Sequence, residues 1–334
     1  MSVFNSLVDQ SEVINVLQEA VKSSKNKGDQ TQAMTHAWLF TGPPGSGRSN
    51  AAIAFAAALV CKEGGCSKCS DCMSTIIGTH ADVELVKTEG LSIKIDEIRE
   101  LITRSSWAPS VASYRVVVIE DSDRLTESAA NALLKVIEEP GLRTIWLLCA
   151  PTLTDVLPTI RSRCRHLSLR TPSTKAVANL LIERESIDPK TAEFAARAAG
   201  GHIGRARRLA TDENAKQNRS SILKLPLTIK DVTSAYKVAQ FLVDAAKADA
   251  LKDSEKKDED EISKLKEAWG ATGSKMVSGG AKVVKELEKE QKSRATRMVR
   301  DYLDRALLDL STLYRDILLV QSTSPDSLIN LYAV

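Results

Sequence analysis

Ala37-Trp38-Leu39-Phe40-Thr41, running into Gly42-Pro43-Pro44-Gly45-Ser46-Gly47-Arg48-Ser49, is the stretch on which the fold turns. The first five residues are mostly apolar and predict a short buried strand; the alanine-rich run from Ser49 to about Val60 predicts a helix. A strand, a glycine-rich turn and a helix in that order aim several backbone N–H groups at one point. With the positive end of the helix behind it, that nest stabilises a polyphosphate. Gly42, Gly45, Gly47, Arg48 and Ser49 are therefore candidate nucleotide-binding residues, with Ser49 placed to ligate magnesium. A glycine-rich turn without a ligand is the plainer alternative, and the flanking strand and helix argue against it. The pattern departs from its usual form at Arg48, where a lysine is expected. A lysine offers a compact charge that curls over phosphates, whereas the planar arginine fork needs more room. The loop is expected to keep its architecture and to be a poor site for hydrolysis.

Outward from the turn, Val116–Ile119 and Ile145–Ala150 read as central strands of a parallel sheet, being apolar without alternation. A helix is expected over 127–138, stopping before Pro140-Gly141, and another over 11–23, followed by a polar loop over 24–32. Strands alternating with helices predict an α/β domain over residues 1–170. After Thr171-Pro172 only helical patterns remain. Three short helices are expected in 173–212, within a small helical domain over 171–222. An all-helical region over 223–334 holds a mixed-charge run, Lys252–Lys266, expected to be solvated, and a long amphipathic helix over about 282–320. On that helix Val299, Leu303, Ala306, Leu310, Leu313 and Ile317 recur at three- and four-residue steps. The chain ends at Leu331-Tyr332-Ala333-Val334 with no recognisable stop signal, as a truncated chain would.

Composition narrows the class. With 334 residues, 43% hydrophobic and 27% charged, the chain suits two or three soluble domains. Aromatic residues make up 4%, too few for ring-built ligand cages, and a formal charge of +3 leaves nucleic-acid contact to a local patch. The N-terminus does not read as a signal peptide, and the longest apolar run, Ala51–Cys61, is too short to span a bilayer. A cytoplasmic, reduced protein without a membrane partner is expected.

Two further constellations carry chemistry. The strand Val116–Ile119 ends in Glu120-Asp121. A nucleotide hydrolase places Asp then Glu there, the first on magnesium and the second orienting the attacking water. Here the order is exchanged, and a misplacement of about 1 Å can cost about a hundredfold in rate. Either a degenerate site or a solvated acidic turn with Asp123 fits. Cys61, Cys66, Cys69 and Cys72 form C-x4-C-x2-C-x2-C inside an insertion over 61–72. Four close thiolates suit one tetrahedral Zn²⁺ in a structural site with no open position. An iron–sulfur cluster would call for a downstream Cys-Pro pair, which is missing. Cys149 and Cys164 lack this spacing and read as core or near-core thiols.

These pieces together resemble the bacterial DNA polymerase III clamp-loader family, an AAA+ group, and within it the delta-prime subunit. The likeness runs from Phe4 to about Leu209. It rests on the phosphate loop, the cysteine insertion, Gly78-Thr79-His80-Ala81-Asp82, Asn131-Ala132-Leu133-Leu134-Lys135-Val136-Ile137-Glu138-Glu139-Pro140 and Thr159-Ile160-Arg161-Ser162-Arg163-Cys164. The resemblance implies an α/β AAA+ P-loop domain with a zinc-binding insertion, a helical lid and a helical collar that joins subunits. It implies partners of the gamma/tau and delta types, and through the complex the sliding clamp and primed DNA. It implies that Arg163 is an arginine finger reaching a neighbour's ATP site, its plain alternative being an ion pair within its own domain. In the lid, Gly204 stands where a family arginine belongs, and Val8-Asp9-Gln10 stands for a Gly-Gln pair. ATP and Mg²⁺ are thus not expected to turn over on this subunit, and no polymerase site is present. The alternatives are an active gamma/tau-type ATPase and a purely structural scaffold. Arg184, Arg197, Arg205, Arg207 and Arg208 fit a DNA-backbone patch or a solvated helix face equally.

Overall fold

The computed structural model describes residues 2–26, 33–88, 90–141, 143–268, 280–322 and 328–330. The chain forms two compact units, the first of Met1–Thr88 with Ser92–Ala210 and the second holding Thr211–Val334.

The first unit is built on a five-stranded parallel sheet. Its elements are α1 (Ser11–Lys25), β1 (Ala37–Thr41), α2 (Arg48–Val60), α3 (Ser70–Ile77), β2 (Val83–Val86), α4 (Ile95–Ser105), β3 (Arg115–Ile119), α5 (Glu127–Glu138), β4 (Thr144–Ala150), α6 (Pro158–Arg161), β5 (Arg165–Ser168), α7 (Thr174–Glu185), α8 (Pro189–Ala198) and α9 (Ile203–Thr211). The strand order is β2-β3-β4-β1-β5, all pairs parallel. Strands β1, β3 and β4 are buried along their whole length, as a sheet covered on both faces requires.

Successive strand residues point to opposite faces, so each strand feeds two cores. Trp38 and Phe40 pack with Val116, Val118, Leu147 and the alanine-rich α2 on one face. Ala37 and Leu39 join Val117, Ile119, Trp146, Ile98 and Leu101 of α4 and Leu133 and Ile137 of α5 on the other. The alanines of α2 let it approach the sheet closely enough for Phe55 to meet Trp38 edge-on at 5.0 Å. The expected strands and α2 appear within one residue of their expected limits, the long helix over about 282–320 begins two residues before its own, at Gly280, and the helix over 127–138 is found at its expected limits. The Thr126 side chain caps it by accepting from the Ala129 N–H. The three expected short helices after 173 are α7, α8 and α9.

Helix α1 continues two residues past 23, to Lys25, into the expected polar loop, of which 27–32 lie outside the described residues. In the second unit, α10 (Glu213–Lys224), α11 (Val232–Ala268) and α12 (Gly280–Gln321) pack together. Every member of the expected stripe on α12 is buried or half-buried. The charged run Lys252–Lys266 is part of α11; two of its carboxylates, Asp258 and Glu261, meet Arg294 of α12 at 2.5 and 2.6 Å, while Glu259 and Asp260 are exposed. Buried Arg219 of α10 donates to Asp309 at 2.8 Å and to Asn330 at 2.6 Å. Residues 331–334 lie outside the described residues. Among the described residues no helix is long and apolar enough to cross a membrane.

Candidate functional site

Strand β1 delivers the chain to the carboxyl end of the sheet, where parallel α/β folds hold their ligands. The loop from Gly42 then turns into α2. Gly45 and Gly47 adopt the left-handed φ values of 87° and 86°, and Gly47 caps α2. A side chain at Gly45 could not fit, because its Cβ would stand 2.6 Å from the His202 ring. Buried Gln10 clamps this loop from outside, its amide donating to Arg170 O at 2.6 Å and Ser46 O at 3.4 Å. The preceding Asp9 has φ 61°, which explains why a glycine suits that place and why Asp tolerates it.

Within the loop the cation is turned inward. Arg48 Nη1 donates to Gly42 O at 2.7 Å. Its Nε and the Ser46 hydroxyl are both buried without a partner among the described residues. Ser49 is half-buried in the first turn of α2. The backbone cradle and two orphaned donors fit a bound phosphate, whereas the arginine tip is committed to the loop's own carbonyl. Strand β3 lies two places from β1, with β4 between them, so Glu120 and Asp121 do come to the same edge, both half-buried. Asp123 is the more enclosed carboxyl: burial pushes it above the usual carboxylate range, and its Oδ1 has no partner among the described residues. Cys149, between the two strands on β4, is a buried thiol held high by desolvation.

The four insertion cysteines converge. Their sulfurs all lie within 4.8 Å of one another, with Cys61 Sγ 3.7 Å from Cys66 Sγ and 3.6 Å from Cys69 Sγ. Four sulfurs at about 2.3 Å from one zinc would stand about 3.8 Å apart along each tetrahedral edge. These separations match that cage and are far beyond a disulfide bond of about 2.05 Å. Cys61 closes α2, and Cys69 caps α3 by accepting the Cys72 N–H at 3.4 Å. The Cys69 N–H donates likewise to Cys66 Sγ at 3.3 Å. Burial acts to raise the Cys61 thiol, and N–H groups of Cys66 and Gly65 outweigh it and bring it to about 6, whereas burial pushes the Cys72 thiol up. Such donors favour the thiolate that a metal needs. Lys25 fastens the insertion to α1 through the carbonyls of Cys61 and Lys62, at 2.8 and 2.7 Å. Cys164 is half-buried against the second core, a near-core thiol pushed up to about 12 by burial.

The Gly78–Asp82 turn ends in Asp82, which is fully buried. Its carboxylate accepts the N–H groups of Ser110, Val111 and Ala112 at 2.6, 2.7 and 2.8 Å and faces Arg115 at 3.6 Å. Arg163 lies just beyond α6, half-exposed, and pairs with Glu138 at 2.7 Å. In the sequence Glu138 lies within the run Asn131–Pro140, which assigns it no role of its own, and neither His202 nor Gln10 carries a signal beyond its neighbours. Of the lid arginines, Arg184 donates to Asn5 O, Arg197 meets Glu193 at 3.9 Å and Arg207 meets Glu185 at 2.5 Å. Gly204 is exposed beside His202.

Residues 10–173 match the family described as DNA polymerase III, delta subunit. The chain is similar to the DNA polymerase III subunit delta' of Bacillus subtilis, with 32% identity over 64% of this chain and 65% of the relative. The delta' subunit of Pseudomonas aeruginosa is 34% identical over 42% of this chain and 45% of its own length. The gamma/tau subunit of Mycobacterium tuberculosis is 33% identical over 50% of this chain and 31% of its own. The chain thus spans less than two thirds of each of these relatives.

Proposed function

We propose, from an N-terminal stretch over 10–173 that belongs to the DNA polymerase III delta-subunit family, that this chain is the delta-prime-type subunit of a clamp loader. In this reading it assembles with gamma/tau-type and delta-type subunits into a hetero-oligomer that loads a sliding clamp onto primed DNA in the cytoplasm. The observation that carries the choice of type is Arg48 Nη1 on the Gly42 carbonyl at 2.7 Å. A phosphate loop kept intact, with its cation spent on itself, supports a subunit that has retained the fold and not the turnover. The exchanged Glu120-Asp121 pair and Gly204 support the same reading. The unpartnered Ser46 hydroxyl and Arg48 Nε favour a phosphate held without hydrolysis over a loop with no occupant.

Arg163 then supplies chemistry to a neighbour. Its guanidinium stays charged at any working pH, and its planar fork suits charge developing on a transferred phosphoryl group. The Thr159 carbonyl of the short helix α6 accepts from Arg163 Nη1 at 2.8 Å, which holds the guanidinium at the domain surface. Four thiolates around one Zn²⁺ would hold the insertion to α2 as a structural site, with no open position for catalysis. Residues 1–170 would act as the AAA+ domain, 171–222 as its lid and 223–334 as the collar.

The test is reconstitution with the partner subunits, clamp and primed DNA. Arg163→Ala should lower ATP turnover at the site it serves by about a thousandfold or more, with clamp loading lost alongside. An unchanged ATPase rate would leave only the scaffold reading. Magnesium-dependent ATP turnover by the isolated chain would instead support the gamma/tau type.

A further inference from the structure

Arg163 is engaged within its own domain. Its Nη2 lies 2.7 Å from Glu138 Oε1, and its Nη1 donates to Thr159 O at 2.8 Å and to Ser162 Oγ at 3.3 Å. Glu138 is the last residue of α5, and Thr159 lies in α6, so the guanidinium ties the ends of two helices. A two-point grip on a phosphoryl group uses two adjacent N–H edges of the fork. Here both terminal nitrogens already have acceptors, and one of these is a carboxylate, whose charge opposes an incoming polyphosphate. The pair is also open to solvent, with side-chain exposures of 40% and 47%. Ion pairs of that kind are weak, so this one can be displaced by a ligand carrying several negative charges.

We propose that Glu138 is a positioning residue for Arg163: it parks the guanidinium on the surface of its own domain and yields it to the polyphosphate of a docking neighbour. The inference rests on the reading of Arg163 as a trans-acting finger. The separate subunit keeps its finger ordered and neutralised, and the assembled one releases it at the cost of a single exposed ion pair.

The test titrates the chain into the other subunits and follows steady-state ATP hydrolysis at low and high salt. At low salt Glu138→Gln should reach half-maximal stimulation at about two- to fivefold lower chain concentration than wild type. At high salt, where the wild-type pair is itself screened, the two curves should merge. Glu139→Gln removes the same charge one residue on and should follow wild type. Glu138 sits half-exposed at a helix end, so its neutral isostere should melt within a degree or two of wild type. A Glu138→Gln curve that overlays wild type or moves to higher concentration, while Arg163→Ala abolishes stimulation, overturns the proposal and leaves the finger standing. So does an equal shift from Glu139→Gln. An inert Arg163→Ala overturns the finger reading and this one with it.

Discussion

Asp82→Ala tests how the first unit holds its loop over 110–112, and its cost can be worked from the contacts. The substitution deletes a fully buried carboxylate and leaves three backbone N–H groups, now bonded at 2.6, 2.7 and 2.8 Å, without an acceptor. A buried donor left without an acceptor costs about 1–3 kcal/mol. The loop can turn outward to water, since Val111 is already exposed, so the lower limit applies: about 1 kcal/mol per donor, about 3 in all. Arg115 is harder to rescue. It is 8% exposed and faces this carboxylate at 3.6 Å, and a buried charge that loses its partner costs about 3 kcal/mol. The expected loss is about 5–6 kcal/mol, much of the usual 5–15 kcal/mol stability of a domain.

Asp82→Asn keeps one acceptor oxygen and should lose about half of that. Denaturant unfolding followed by Trp38 and Trp146, both buried in this unit, measures each value. The pH dependence is a second readout. Burial works to raise the Asp82 carboxyl, but the three N–H groups and Arg115 outweigh it and hold it below its ordinary 3.8. A depressed carboxyl contributes stability above its ordinary value and loses it as pH falls through the folded one. Wild type should therefore weaken below about pH 4 relative to Asp82→Asn. A loss under about 1 kcal/mol for Asp82→Ala, or parallel acid curves, would refute the assignment.

Elemental analysis should find about one zinc per chain, released by chelation, and Cys72→Ser should reduce that content sharply; a full complement in the variant would mean the metal is held elsewhere. Asp316→Ala removes the buried carboxylate oxygen that accepts Ile329 N, Asn330 N and Asn330 Nδ2 at 3.0, 2.6 and 2.9 Å. It should cost about 2–4 kcal/mol in the second unit and expose 328–330 to rapid hydrogen exchange, and unchanged protection there would count against the network.

What could be read from the sequence follows burial. Strands β1, β3 and β4 lie under helices on both faces, and their unbroken apolar runs announce them. Strands β2 (Val-Glu-Leu-Val) and β5 (Arg-His-Leu-Ser) are edge strands, half-exposed, with polar residues interleaved, so their patterns were too short and mixed to read. Helix α4 was also unread, although its apolar residues recur at helical spacing. At the site, the glycines and cysteines were legible because each type has a narrow use. The turning of Arg48 onto Gly42, the clamp of Gln10 and the pairing of Arg163 with Glu138 join residues 6, 36, 160 and 25 positions apart through ordinary polar side chains. Nothing in one sequence distinguishes such a partner from any other glutamate or glutamine.

The Arg219–Asp309–Asn330 network also sets an order of events on the ribosome. Arg219 is synthesised 111 residues before Asn330. At about 5–20 residues per second, it waits roughly 5–20 s for its amide partner to be made. By then every strand of the parallel sheet, β5 included, has long been available to pair. The nascent chain can thus complete its parallel-sheet unit early. The helical unit holds a buried guanidinium that cannot be fully satisfied until translation has passed residue 330.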